Sequence, residues 1–367
     1  MDLTKDQRIV LTLDAGGTNF VFSALRGGEE IVSPITVPSH ADERDSSLKT
    51  ILKGFEQVRN RLDEEPVAIS FAFPGPADYP AGIIDNVGNL PAFSGGVALG
   101  PMLQDRFNIP VFINNDGDLF AYGEAMAGLL AEINEKLREM QIPRQYKNLF
   151  GVTVGTGLGG GMVINHQLCA GDNSAAGELW LSRNFEEPAL TAEEGASIRA
   201  VQLAYRDYDP GTTELLSPKE IYEIARGGKQ GNRQAAIQAF EKMGTVLGEA
   251  IANAVTLIDG VIVIGGGISQ AHKLFLPRAT EHLNGTIAGR SGKRFSRLVS
   301  RVYNLEDATS AREFYSFKSK EVSVPFSGKK VSYAPEKRLA IGISRLGTSR
   351  ATALGAYAFA LSRLDQK

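Results

Sequence analysis

The sequence predicts an α/β protein of two related domains facing a central cleft, and three observations carry that expectation. The chain has 367 residues, more than one typical hydrophobic core accommodates. Short apolar strands alternate with amphipathic helical stretches. One uncommon unit, strand–glycine turn–strand, also occurs twice, about 140 residues apart, as an internal repeat would.

Composition narrows the class. Hydrophobic residues make up 43% and charged residues 22%, an ordinary globular balance. A net charge of −3 leaves no basic footprint, which argues against nucleic acid as a partner. The single cysteine, Cys169, excludes an intramolecular disulfide and a Cys-rich zinc site, and it fits a reducing compartment. The opening MDLTKDQRIV has no apolar signal core, and no apolar run is long enough to span a bilayer. The expected setting is cytoplasmic, without a membrane partner.

In chain order, Ile9–Asp14 is an apolar strand ending in an acid, Ala15-Gly16-Gly17-Thr18-Asn19 a glycine turn, and Phe20–Leu25 a second strand. Ser47–Arg61 has helical periodicity and Val67–Phe73 is a buried-type strand stopped by Pro74-Gly75-Pro76. A loop then runs through Asp85–Leu90. Leu99–Phe107 is a short helix and Val111–Ile113 a strand that delivers Asn114-Asn115-Asp116-Gly117-Asp118 just before a helix at Leu119–Leu130. That is where α/β proteins place reactive groups, although helix capping by Asp116 or Asp118 accounts for the same pattern. Glu132–Met140 reads as a solvated charged helix.

The second glycine unit is LFGVTVGTGLGGG, with five glycines between Gly155 and Gly161, before a strand at Met162–Asn165. Lacking Cβ atoms, such turns let amides approach a ligand closely, and successive amides form an anion-binding nest. Gly155-x-Gly157-x-x-Gly160 also matches the dinucleotide fingerprint, but that motif opens a helix and Met162-Val163-Ile164 reads as a strand. A tight hairpin without ligand is the third reading. Hydroxyls at Thr18 and Thr156 in the two turns favour a nucleotide clamped by its phosphates. Further on, Pro218–Arg226 and Gln234–Leu257 are amphipathic helices, Val261–Ile264 is a buried strand running into Gly265-Gly266-Gly267, and Ala351–Leu364 is an Ala-rich helix. Lys293–Arg345 is unusual: a hairpin at Val322–Phe326 and Val331–Tyr333, or an irregular edge.

LDAGGTN, PGP followed by Asn89-Leu90-Pro91, NNDGD followed by GE, VGTGLGGG, AAGE and IGGGIS occur in one order. Together, from about Leu11 to Leu364, they resemble the ROK family of bacterial sugar kinases. The resemblance implies a two-domain actin-like ATPase (ribonuclease H-like) fold. Residues 1–115 plus 350–367 would form the smaller domain, with the returning C-terminal helix, and residues 116–349 the larger. It further implies ATP and Mg²⁺ as cofactors, a small-molecule sugar as substrate, phosphorylation most often at O6 of a hexose or amino sugar, and a homo-oligomer. Closure of the cleft would keep water from the base.

By the same resemblance, Asp116 is the catalytic base and Asp118 its competitor, and Asp14 holds Mg²⁺ through water. Gly16, Gly17, Thr18 and Asn19 form the first phosphate loop, where Asn19 replaces a common lysine. Gly155, Thr156 and Gly157 form the second, and Gly265, Gly266 and Gly267 the adenosine motif. Asn89, Asn115, Glu178 and Glu193 bind sugar, with Glu194 a rival to its neighbour. Two departures stand out: Leu181 replaces the family histidine beside Trp180, and the cysteine-rich zinc segment is missing, so no zinc site is expected. Trp180 itself reads more as core than as a stacking platform. Rival readings are a sugar-sensing repressor, disfavoured because the first phosphate loop starts at residue 14, a catalytically silent sugar- or nucleotide-binding protein, and, more distantly, an NAD-dependent oxidoreductase.

Overall fold

The alternation of apolar strands and amphipathic helices sets the element order. In the computed structural model, which describes residues 3–75, 77–85 and 90–366, strands β1 (Val10–Ala15), β2 (Asn19–Arg26), β3 (Glu29–Glu30) and β4 (Ile35–Pro38) precede helix α1 (Arg44–Arg59). Strand β5 (Ala68–Ala72), the short ribbon β6 (Ala77–Asp78) and β7 (Ile83–Ile84), helix α2 (Leu99–Phe107) and strand β8 (Val111–Asn114) follow. Helices α3 (Asp116–Met126) and α4 (Leu129–Glu139) lead to strands β9 (Leu149–Val154), β10 (Leu158–Ile164) and β11 (Gln167–Leu168). Helices α5 (Ile198–Tyr208), α6 (Pro218–Arg226) and α7 (Arg233–Ile258) come next, then β12 (Val261–Gly265), α8 (His272–Leu283) and the hairpin β13 (Thr286–Ala288) and β14 (Arg294–Ser296). The chain ends with β15 (Arg301–Asn304), α9 (Ala308–Phe314), the hairpin β16 (Lys320–Ser323) and β17 (Lys330–Tyr333), β18 (Arg338–Ile343) and α10 (Thr348–Asp365).

These elements form two compact units: residues 1–131, 160–177 and 344–367, and residues 132–159 and 178–343. The first thus includes α3 and the stretch 160–177, which the sequence-based boundary at 115/116 assigned to the second domain.

In the first unit the sheet runs β3-β2-β1-β5-β8, with β4 also on β2. The β1–β2 hairpin is antiparallel, while β1–β5 and β5–β8 are parallel. Because strand side chains alternate, Leu11, Leu13, Phe20 and Phe22 share a core with Phe55 of α1 and Phe107 of α2. Phe22 and Phe55 meet edge to face at 5.0 Å, a favoured aromatic geometry. The residues between them, Thr12, Asp14, Val21 and Ser23, therefore occupy the opposite face. Helix α10 packs there against β1 and β5, and it packs closely on α3. The α3–α10 crossing is set by glycine: a Cβ on Gly123 would overlap the Ala351 carbonyl oxygen, and one on Gly355 that of Leu119.

In the second unit β9, β12, β18 and β15 are neighbours in that order, all parallel. Val261–Ile264 is fully buried, as strands covered on both faces are in parallel sheets. Two sequence expectations change here. Helix α4 is not a solvated helix: Leu129, Leu130, Ile133 and Leu137 are buried along one side, the i, i+4 stripe that its charge run masked. The stretch 293–345 is more than a hairpin or an irregular edge, because it supplies β15 and β18 to the sheet; β16 and β17 form a separate exposed hairpin, and β14 pairs with β13 in another.

Candidate active site

In the first unit the chemistry gathers where β1 and β8 end. Asp14 is the penultimate residue of β1, and Asp116 is the first of α3, with only Asn115 between it and the end of β8. Both line one cavity of about 640 Å³, together with Ala15, Pro74 and the first turns of α10. Asp14 keeps an exposed edge, yet its carboxyl is pushed above its ordinary value. The protein packed around it is the larger cause and the Asp116 charge the second. Asp118, two residues on, is buried, at 3% exposure, whereas Asp116 is exposed.

The turn joining β1 to β2 is closed by Gly16 N–H donating to the Asn19 carbonyl (3.0 Å). Ser39, buried after β4, grips it from the side: its hydroxyl donates to the Gly17 carbonyl (2.6 Å) and its N–H to the Thr18 carbonyl (3.0 Å). Thr18 and Asn19 are exposed. Nothing in the sequence around Ser39 signalled this role, since the contact bridges some twenty residues.

Asn115 is the N-cap of α3. Its Oδ1 accepts the Gly117 N–H (2.8 Å), and its Nδ2 donates to the Tyr79 hydroxyl (3.4 Å). The Asp116 carboxylate shares the Gly117 N–H (2.9 Å). Such side-chain acceptors satisfy amides that a helix start leaves open. Asn89 lies outside the described residues.

The second unit carries the remaining candidates. Between β9 and β10, Gly155 N–H donates to the Gly157 carbonyl (2.9 Å), and Thr156 is exposed at the tip. The Glu193 carboxylate accepts the Leu158 N–H at 2.9 Å. Not every glycine of this motif is a ligand contact. Gly161, which falls in the first unit, packs its backbone on the Gly117 carbonyl and Ala121 at the start of α3. Gly266 has φ +87°, and a Cβ there would overlap the Val154 carbonyl, so glycine is required by chain packing; Gly265 is buried and Gly267 opens to free space.

Glu178 accepts a hydrogen bond from the Trp180 indole N–H. Trp180 is 37% exposed and Leu181 58%. This corrects the core reading of the tryptophan. The polar tether to Glu178 replaces the packing that a buried indole would have.

Among the described residues no cluster of three or more histidine, cysteine, aspartate or glutamate side chains is placed to hold a metal, and no helix is long and apolar enough to cross a membrane.

Comparison with known proteins decides the family, since the sequence pattern of the ROK family matches residues 10–307. The chain belongs to the ROK family. The ROK fold is that of the actin-like ATPases, and it is the fold of this chain. A solved glucokinase from Parabacteroides distasonis is 51% identical, with 99% of each chain covered and a TM-score of 0.90. An N-acetyl-D-glucosamine kinase from Photobacterium profundum is 28% identical over 291 residues, 74% of this chain and 88% of its own length. A ROK relative of another kind, a xylose repressor from Caldicellulosiruptor bescii, is 24% identical over 309 residues, 77% of this chain and 72% of its own.

Proposed function

We propose that this ROK protein is an ATP-dependent sugar kinase that transfers the γ-phosphoryl group of Mg-ATP to a hydroxyl, O6, of a hexose or amino sugar. The observation that carries the reading is the Asp14–Asp116 pair in one cavity, at the ends of β1 and β8, in a chain half identical along its length to a protein named glucokinase.

A sugar hydroxyl is a weak nucleophile. Asp116, exposed at the start of α3, accepts its proton as the phosphoryl group arrives, while positioning and charge neutralisation provide most of the remaining rate. Asp14 would hold Mg²⁺. The fit is chemical: Mg²⁺ favours one or two carboxylates together with water and phosphate oxygens. Asp14 and Asp116 line one cavity, so two carboxylates bring negative charge there that a cation would offset. When bound, Mg²⁺ neutralises charge on the phosphates. The Gly16–Asn19 turn of the first unit and the Gly155–Gly157 turn of the second would each offer amides to phosphate oxygens, and Gly265–Gly267 would serve the adenosine. Glu178, steadied by Trp180, binds ring hydroxyls. Asn115 shapes the start of α3, and both ends of its amide are already engaged there.

The test is direct. Purified protein with Mg-ATP and single sugars (glucose, mannose, N-acetylglucosamine, N-acetylmannosamine) is followed by coupled ADP release and phosphorus NMR. Sugar 6-phosphate from at least one of them is expected. Sugar binding by calorimetry with no phosphorylated product from any of them would replace this reading with a silent binding protein.

A further inference from the structure

A turn rich in glycine is loose, because glycine loses more backbone freedom on ordering than any other residue. The Gly155–Leu158 turn is nonetheless fastened at both ends by one neighbouring segment, residues 193–198. The Ile198 N–H, at the start of α5, donates to the Gly155 carbonyl (2.8 Å). The Glu193 carboxylate takes the Leu158 N–H (2.9 Å), and a Cβ on Gly157 would come within 2.6 Å of the same oxygen. The brace is itself rigid: Ser197 is fully buried and caps α5 by accepting the Ala200 N–H (3.3 Å). Glu193 is half-buried, and a hydrogen bond from an amide to an ionised acceptor is among the stronger ones a backbone makes.

We infer that Glu193 is a positioning residue for the phosphate chain: its carboxylate fixes the shape of the second glycine turn, so its loss weakens nucleotide before it weakens sugar. The inference rests on the kinase reading for the identity of the ligand, but the fastening itself does not. A Cβ at 157 would press on that carboxylate, so the absence of one leaves the oxygen free to sit over the turn. A glutamine at 193 keeps a carbonyl oxygen able to accept the same N–H, whereas alanine removes it.

Two measurements separate the possibilities. Hydrogen exchange of the peptide containing residues 155–158 is followed in the protein without ligands, for the wild type, Glu193→Gln and Glu193→Ala. Exchange should speed up at least about tenfold in Glu193→Ala and stay near wild type in Glu193→Gln. Calorimetry with AMPPNP and steady-state kinetics then read the ligand sites. Glu193→Ala should lose about tenfold or more in AMPPNP affinity and show a KM for ATP raised about as much, with Glu193→Gln restoring both, while KM for sugar moves less than KM for ATP. Unchanged exchange in Glu193→Ala, or a raised sugar KM in both variants with AMPPNP binding intact, overturns the inference. Wild-type protein that binds no AMPPNP overturns the kinase reading, while the exchange experiment still reports on the fastening. If the alanine variant does not fold, Glu193→Asp, which keeps the charge and shortens the reach, takes its place with the same expected outcomes.

Discussion

At the residue scale the account turns on how two carboxylates share a cavity. Asp14 is raised above its ordinary value near 3.8 by the surrounding protein and by Asp116. A carboxyl whose folded pKa exceeds its unfolded one binds protons more readily when folded, so its contribution to stability falls as pH rises from 3.8 through the raised folded value. At neutral pH the ionised Asp14 is therefore a small burden on the fold. Asp14→Asn is expected to raise the melting temperature at pH 7, to lose that advantage below about pH 3.8, and to abolish turnover, a familiar exchange of stability for function. Melting curves of the two proteins across pH 3 to 8 check the sign. A variant less stable than wild type at pH 7 would contradict it. Much at this scale was legible from local spacing. Asp14 and Asp116 each stand where an apolar strand runs out, and a strand end can be read from a few neighbours. Ser39 and the Glu193–Leu158 bond could not be read this way, because each joins segments that are distant in sequence.

At the element scale the α3–α10 pair supports the site, since Asp116 is the first residue of α3 and α10 lines the same cavity. Their backbones meet at Gly123 and Gly355, with carbonyl oxygens where a Cβ would stand. Gly355→Ala must push the helices apart and is expected to cost about 1–3 kcal/mol, as overpacking does. Beside this crossing Glu124 is fully buried. Its carboxylate accepts the Leu129 N–H (2.8 Å), the Ser344 hydroxyl (2.5 Å) and the Leu346 N–H (3.2 Å). Glu124→Ala leaves these donors without that acceptor and should cost at least about 2 kcal/mol, on the order of 1–3 for each stranded group. Urea unfolding of both variants measures these losses, and midpoints equal to wild type would contradict the packing argument. The glycine and glutamate of the GE pair were visible in the sequence, but their work was not: the partners Ser344 and Leu346 lie over two hundred residues away. The break between α3 and α4 falls at 127–128, a few residues before the sequence-based division between Leu130 and Glu132, because Glu124 takes the free Leu129 amide at the start of the next helix.

At the scale of the whole molecule, the repeat of strand, glycine turn and strand predicted two related α/β units, and the fold bears out that class. The repeat was readable because glycine and β-branched residues announce themselves by composition. Its finer meaning was not, since Gly161 and Gly266 serve chain packing and only coordinates distinguish a glycine that admits a ligand from one that admits a neighbouring carbonyl. The stretch 293–345 was obscure because β18 contributes to the sheet from beyond an exposed hairpin, and sheet membership over such a distance has no local signature.

The central claim, that one carboxylate at the start of α3 takes the sugar's proton, is tested by a single comparison: turnover of wild type and Asp116→Asn with Mg-ATP and the preferred sugar, alongside calorimetry of AMPPNP and sugar. The account predicts a fall in kcat of at least about 10²-fold with both ligands still bound. Turnover equal to wild type in that variant would contradict it.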